Sequence, residues 1–379
     1  MHPFVRYATE SQADIVELIK ELVECESPSN DARAVNRFVD LLVEKTRDLA
    51  KAKTFKSERF GRHLRLDFTV TGKHREGQIL GLGHSDTVWP LGTLRAMPFK
   101  HDNGRLWGPG VLDMKAGLAF FVFAVRMLNN LDVPVNRKVA LLVVSDEEVG
   151  SETSRAITEK AASESESVLV MEPGTGLTGK LKTARKGVGD YLVRVEGKAS
   201  HAGVDFTDGA SAILELARQI EMIATFTDLK KGITVNPGVI RGGTRTNVIA
   251  AEAEAEVDIR VARARDAAPL DRKFKALQAV DKRCRLEISG GLNRPPMERT
   301  RAVQWIFRKA RALASGLGVA LEESATGGGS DGNFTSALGI PTLDGLGAVG
   351  EGAHAPNESI LENRIADRVA LIGALLQNL

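Results

Sequence analysis

Short apolar runs punctuate the first half of the chain: residues 64–70 (LRLDFTV), 78–83 (QILGLG), 138–144 (KVALLVV) and 167–172 (SVLVME). Each is rich in Val, Leu or Ile and bounded by polar or glycine-bearing segments, the pattern of a buried strand. Between them, residues 13–24 and 114–131 carry apolar residues at helical spacing. Strands alternating with helices predict an α/β domain with a mostly parallel sheet flanked by helices. In such sheets ligands collect at the carboxyl ends of the strands.

The texture changes near Lys186. Residues 190–197 read as a strand, 209–226 as a helix and 232–240 as a strand. Residues 251–261 (AEAEAEVDIRV) have a helix-like composition, yet Ala, Val and Ile alternate strictly with Glu, Asp and Arg. That is the period of a half-exposed strand. A helix over 269–284 completes a β-α-β-β-α insert, an α+β (ferredoxin-like) domain with helices on one sheet face. The expected organisation is an α/β domain formed by 1–185 and 294–379, interrupted by this domain at 186–293. After Arg294 come a helix at 302–315, a glycine-rich loop at 327–332 and a closing helix at 362–376.

Composition narrows the function classes. A formal charge of +2 spread over 379 residues, without runs of like charge, argues against nucleic-acid and membrane partners. No apolar run reaches membrane-spanning length. Cys25 and Cys284 stand far apart without metal spacing, as free thiols in a reducing compartment do. The first twenty residues lack the basic-then-apolar pattern of a signal peptide, so the expected location is cytoplasmic, or periplasmic if a leader has been removed.

Chemistry-bearing residues recur where strands end. His84 and Asp86 (GHSD) follow one strand, Asp113 (GPGVLDMKAG) opens a helix, Glu147 and Glu148 (SDEEVGS) end the next strand, and Glu172 (MEPGT) the one after. His354 stands in GEGAHAP near the end of the chain. Singly, each is the kind of residue found capping helices or on surfaces, as His63, His74 and His101 are read here, and Asp113 suits a helix N-cap. Together, imidazoles and carboxylates are a ligand set for zinc or a similar divalent ion. Two histidines and three carboxylates suit a two-metal site with one shared carboxylate. Two nucleotide-like patterns fail. GTGLTGKL (174–181) carries Leu181 where a magnesium-holding hydroxyl is needed, and GLGAVG (345–350) leads into no long helix.

With these motifs in this order, the sequence resembles the co-catalytic dizinc exopeptidases, the family of glutamate carboxypeptidases, acetylornithine deacetylases and aminoacylases, over nearly its whole length. The resemblance implies two Zn2+ per subunit, with Co2+ or Mn2+ as alternatives. One ion is held by His84, Asp113 and Glu172, the other by Asp113, Glu148 and His354, and the peptide after Asp113 is cis. It implies that Glu147 acts as general base for a hydroxide bridging the metals, and that Asp86 orients His84. His201 (KASHAG) and Asn247 (TRTNVI) stabilise the oxyanion from the partner of a homodimer, which makes the insert a lid and dimerisation domain. Taken alone, His201 reads as a surface histidine at a strand end.

An exopeptidase must hold a terminal carboxylate. Arg260 (DIRV) matches the family's carboxylate-binding arginine, and the backbone amides of Gly328 and Gly329 assist it. Lys180 and Arg294 match positions that face substrate in glutamate carboxypeptidases, and both read equally well as solvated loop charges. The implied reaction is release of a C-terminal amino acid, glutamate in first place, from peptides or folate-like substrates. The alternatives are an N-acyl-amino-acid deacylase or dipeptidase, and a non-catalytic relative. Asn333 replaces the arginine that commonly follows SDG in deacylases, and Glu147 and Asp113 are both retained, which disfavours a relative without turnover.

Overall fold

The computed structural model describes residues 1–73 and 77–379; His74 lies outside the described residues. The chain divides into two compact units: Met1–Ala184 with Arg299–Ala325 and Ser330–Leu379, and Arg185–Glu298 with Thr326–Gly329.

The first unit is built on a six-stranded sheet in the order Ala50–Phe55, His63–Phe68, Lys138–Val144, Gln78–His84, Ser167–Val170, Thr342–Leu343. The last four strands run parallel, and the first two are antiparallel additions. Gln78–His84 is buried along its whole length. A strand covered on both faces has no solvent side to mark with polar residues, so it reads as an apolar run. The exposed edge strand Ala50–Phe55 (AKAKTF) carries no such signal. Helix Ala116–Asn130 is apolar on nearly every face, because the sheet and helix Ile365–Asn378 enclose it. It starts two residues later than the spacing implies, since Asp113 and Met114 are non-helical and the peptide between them is cis.

The second unit is a four-stranded antiparallel sheet in the order Thr234–Gly242, Glu252–Val261, Gly187–Glu196, Arg285–Arg294. Glu252–Val261 alternates buried and open positions as its sequence alternation requires. Val257 and Ile259 face a core shared with Leu216 and Ile223 of helix Ala212–Ala224 and with Leu270 and Phe274 of helix Ala264–Lys275. Tyr191 stacks on Phe274 at 3.8 Å and donates its hydroxyl to Asp271 at 2.7 Å.

Three expectations change here. The second helix of this unit spans Ala264–Lys275 rather than 269–284, with Pro269 inside it. Its start is held by Glu298, whose carboxylate accepts the Ala264 amide at 2.9 Å from 34 residues away. Arg285–Arg294 is a fourth strand absent from the expected β-α-β-β-α order. Its Leu286/Ile288 alternation is cut short by Gly290 and Gly291 and by a register shift before Arg294. Because Arg294 pairs with Val188 in that strand, it belongs with the second unit rather than with the returning α/β segment.

At the start of helix Ala116–Asn130, Gly117 lies so close to the end of Ser167–Val170 that a β-carbon there would stand 2.2 Å from the Met171 carbonyl oxygen. Gly117→Ala therefore forces the helix off the strand end that leads to Glu172. The expected cost is about 1–3 kcal/mol, read as a lowered urea midpoint; an unchanged midpoint would show that the helix can shift freely.

Candidate metal centre

Parallel register aligns the carboxyl ends of the central strands. His84 closes Gln78–His84 opposite Val144, three residues before the 3-10 turn Glu147–Val149, and Glu172 stands two residues beyond Ser167–Val170. Asp113 enters from the irregular segment preceding helix Ala116–Asn130. His354 comes from a loop in which its own backbone is left-handed, φ +62°. That conformation costs a residue with a β-carbon about 1–2 kcal/mol, and it persists where the surroundings over-determine it.

These side chains form two groups of three that share Asp113: His84, Asp113 and Glu172, and Asp113, Glu148 and His354. Within each group one ligand atom per residue lies within 4.8 Å of the others. Asp113 turns its two oxygens to two imidazoles, Oδ1 to His84 Nε2 at 3.1 Å and Oδ2 to His354 Nε2 at 3.3 Å. Glu172 Oε1 lies 3.7 Å from His84 Nε2, and Glu148 Oε1 lies 3.2 Å from His354 Nε2. The first group is nearly enclosed, whereas the His354 side chain is 48% exposed. Nitrogen and oxygen donors in this arrangement fit two borderline divalent ions sharing one carboxylate. Glu147 belongs to neither group.

The protonation states follow from this crowding. Burial works against a charged His84, yet its hydrogen bond to Asp113 and the nearby carboxylates of Asp86 and Glu172 hold its imidazolium well above the usual range. Hydrogen bonds to Asp113 and Glu148 push His354 up to about 10. Burial would raise Asp113, but hydrogen bonds from His354 and His84 prevail and keep it far below the usual carboxylate range. Burial raises Glu148 despite its bond to His354.

A second layer of acids holds the backbone instead. His84 Nδ1 donates to the Asp86 main-chain carbonyl at 2.9 Å, leaving Nε2 to face the ligand group. The Asp86 carboxylate stands farther from the ring, at 3.6 Å. That carboxylate accepts the amides of Glu147 and Glu148, each at 3.2 Å, and the Ser29 hydroxyl at 2.8 Å. Asp146 caps the following loop, accepting the Thr153 amide at 2.7 Å and its hydroxyl at 2.8 Å. Thr153 in turn meets the buried His63 at 3.1 Å. Buried Glu358 accepts four donors: Trp89 Nε1, and the amides of Gly110, Leu112 and Asp113. Nothing in local sequence marked Ser29, Thr153 or Glu358, because their partners are backbone groups or distant in the chain. His101, expected at the surface, pairs there with Glu362 at 2.9 Å.

The remaining candidates fall outside this cluster. His201 and Asn247 lie on adjacent segments of the second unit, both exposed, with the Ala202 amide on the Asn247 carbonyl at 3.0 Å. Arg260 is gripped by Asp258, Nε at 3.0 Å from both carboxylate oxygens and one terminal nitrogen at 2.7 Å. Its other terminal nitrogen reaches the Gly327 carbonyl at 3.4 Å. Arg185 takes the carbonyls of Gly328 and Gly329 at 3.3 and 2.8 Å. Peptide planarity then turns the Gly329 amide away from that guanidinium. Lys180 pairs with the exposed Glu322 at 2.5 Å, and Arg294 is buried at its strand end.

The sequence matches peptidase family M20/M25/M40 over residues 81–378. The chain belongs to this family. It is 27% identical to carboxypeptidase G2 of Pseudomonas sp. (strain RS-16), over 98% of this chain and 91% of that protein. It is 29% identical to an acetylornithine deacetylase of Klebsiella pneumoniae (strain 342), over 65% and 67% of the respective chains. In fold it is similar to aminopeptidase PepT of Bacillus cereus ATCC 10987, with a TM-score of 0.79, 22% identity and coverage of 97% and 98%. It is likewise similar to an M20 family metallo-carboxypeptidase of Sulfolobus solfataricus, with a TM-score of 0.74, 18% identity and coverage of 96% and 98%. The M20 relationship makes this chain a metal-dependent hydrolase of the carboxypeptidase and deacylase kind. Among the described residues, no helix is long and apolar enough to cross a membrane.

Without metal both imidazoles are shifted toward their protonated forms, and a ligating nitrogen must give its proton up. Raised histidine pKa values mean that protons compete with the ion at low pH, and that for His354 the competition ends as pH rises through about 10. Zinc uptake at pH 7 is expected to release one proton from each of His84 and His354, with apparent affinity climbing with pH. Calorimetry in two buffers of different ionisation enthalpy checks this; identical heats in both would contradict it.

Proposed function

We propose that this M20 protein is a two-metal carboxypeptidase that hydrolyses an amide bond to release a C-terminal amino acid, glutamate in first place, from peptide or folate-like substrates. The observation that carries the reading is the pair of ligand groups hinged on Asp113, with Glu147 beside Glu148 yet outside both. His84, Asp113 and Glu172 would hold one ion, and Asp113, Glu148 and His354 the other. Bound zinc, or cobalt or manganese in its place, would supply a polarised carbonyl and water acidic enough to ionise near neutral pH.

The chain's own groups then have distinct tasks. The Glu147 carboxylate accepts the proton of the attacking water and returns it to the leaving amide nitrogen. The Asp86 carboxylate, on the Glu147 amide, fixes where that base stands. His201 and Asn247 offer exposed donors to a developing oxyanion. Arg260, pre-oriented by Asp258, and the Gly329 amide offer donors to a terminal carboxylate. Buried Asn333 supports the carboxypeptidase reading over the deacylase one: its Oδ1 is spent on the Ser330 amide at 3.0 Å, and no guanidinium occupies that position.

The test combines one variant with one screen. Glu147→Gln should keep two ions per chain while lowering kcat by about 10²–10⁴-fold; near-normal turnover would remove Glu147 from the base role. In a screen of peptide- and folate-linked glutamate against N-acetyl amino acids, glutamate release abolished by chelator is the expected result. Preferential deacetylation would replace this reading with the deacylase one.

The same reading makes the protein a homodimer. Strand Thr234–Gly242 is an outer strand with Val239 and Ile240 exposed, 58% for Ile240, and Ile213 and Leu214 are exposed on helix Ala212–Ala224. An apolar, unpaired edge invites a second chain. Sedimentation at micromolar concentration should show a dimer that Ile240→Lys weakens; a monomer throughout would exclude donors from a partner subunit.

A further inference from the structure

The small sheet beside the metal centre brings two distant loops together. Ser359–Leu361 pairs antiparallel with Arg105–Trp107, so Glu358, just before the first strand, meets residues 108–113, just after the second. The Gly108 amide reaches the Glu358 main-chain carbonyl at 3.4 Å, extending the pairing by one step. The Glu358 side chain then turns into the turn itself. Oε2 accepts Gly110 N at 2.9 Å and Trp89 Nε1 at 2.8 Å, and Oε1 accepts Leu112 N at 2.9 Å and Asp113 N at 3.1 Å. The residue is fully buried.

The turn cannot hold this shape unaided. Gly110 is left-handed at φ +73°, and a β-carbon there would stand 2.8 Å from Thr87 Cγ2. Three of its amides converge on the two oxygens of one carboxylate, an acceptor-only group suited to them. On the other side, the Glu358 amide bonds the Ala355 carbonyl at 2.9 Å, and the Ala355 amide bonds the Gly352 carbonyl at 2.8 Å. Those two bonds close the loop that holds His354 left-handed. One residue thus anchors Asp113 through its carboxylate and the His354 loop through its backbone.

We propose that Glu358 is the positioning residue of the two-metal centre, a buried carboxylate that sets Asp113 and His354 as a pair. It touches neither substrate nor ion. Asp113 serves both groups, whereas His354 serves only the one completed by Glu148, so Glu358 bears on two ligands of the second ion and one of the first, and its loss weakens the second ion more. The inference rests on the two-metal reading and adds an order of loss to it.

The experiment is zinc titration of chelator-stripped protein by calorimetry, repeated with cobalt and its visible absorption. Native protein should bind two ions. Glu358→Gln sets an amide NH2 against two N–H donors in either flip, so its second ion should bind about 10–100-fold more weakly, with the first, which shares only Asp113, weakened less. Glu358→Asp, which keeps the charge but withdraws it by one methylene, should show the same order with a smaller loss, and stands in if the glutamine variant fails to fold. Glu215→Gln is the matched control. Glu215 is another fully buried carboxylate, accepting the amides of Val280 and Asp281 at 2.9 Å each, in the second unit. Its loss should lower the melting temperature without changing either ion. Equal weakening of both ions, or native binding in both Glu358 variants, would overturn the proposal while leaving the two-metal reading intact. A native protein that binds a single ion would overturn both.

Discussion

The centre of the first unit is governed by one electrostatic constraint: many carboxylates gathered where strands end. Asp86, Asp113, Glu147, Glu148 and Glu172 arrive from neighbouring strand ends and one irregular turn. Two unit charges about 4 Å apart interact by about 4 kcal/mol at an effective dielectric of about 20, so the gathering is untenable without compensation. The protein compensates in two ways, and the difference sorts the residues by task. Asp113, Glu148 and Glu172 face imidazoles, in groups that could hold metal ions. Asp86, Asp146 and Glu358 face backbone amides and hydroxyls, which neutralise charge by hydrogen bonding and fix loops as they do so.

This division explains why an acidic triplet can end a hydrophobic strand. Asp146 is spent on Thr153, and its Oδ2 closes the turn after Lys138–Val144. The amides of Glu147 and Glu148 are held by Asp86, so their side chains project from a fixed backbone. Glu148 meets His354, whereas Glu147 stays outside both ligand groups. Three adjacent acids are thus a cap and, in the proposed reaction, a proton carrier and a metal ligand. Their backbone geometry depends on a carboxylate contributed by another strand.

What the sequence reveals follows the same line. Residues 78–84 and 138–144 were legible as strands because burial on both faces leaves an unbroken apolar run, and 252–261 because a half-open sheet enforces alternation. Arg285–Arg294 was illegible because two glycines and a register shift erase its period, and Ala50–Phe55 because an exposed edge asks little of its side chains. The candidate ligand positions stood out because imidazole and carboxylate at successive strand ends are unusual together and match a family pattern. Ser29, Thr153 and Glu358 did not, since a side chain bonded to backbone can come from any segment that the fold brings near. The start of helix Ala264–Lys275 was missed for that reason too: its capping acid, Glu298, is 34 residues away.

The residues expected to hold substrate raise a different energetic question. Arg260 already has a partner, and in the proposed reaction a substrate carboxylate would share its fork with Asp258 or take it over. The side chains of this pair are 31% and 34% exposed, and such pairs contribute only about 0–1 kcal/mol. Asp258 therefore holds the guanidinium in orientation without holding it strongly. An incoming carboxylate meets a pre-arranged fork, so less side-chain entropy remains to be lost on binding. In the proposed reaction the same weakness keeps that fork from being a strong anion site alone, which leaves the Gly329 amide to share in holding the substrate carboxylate.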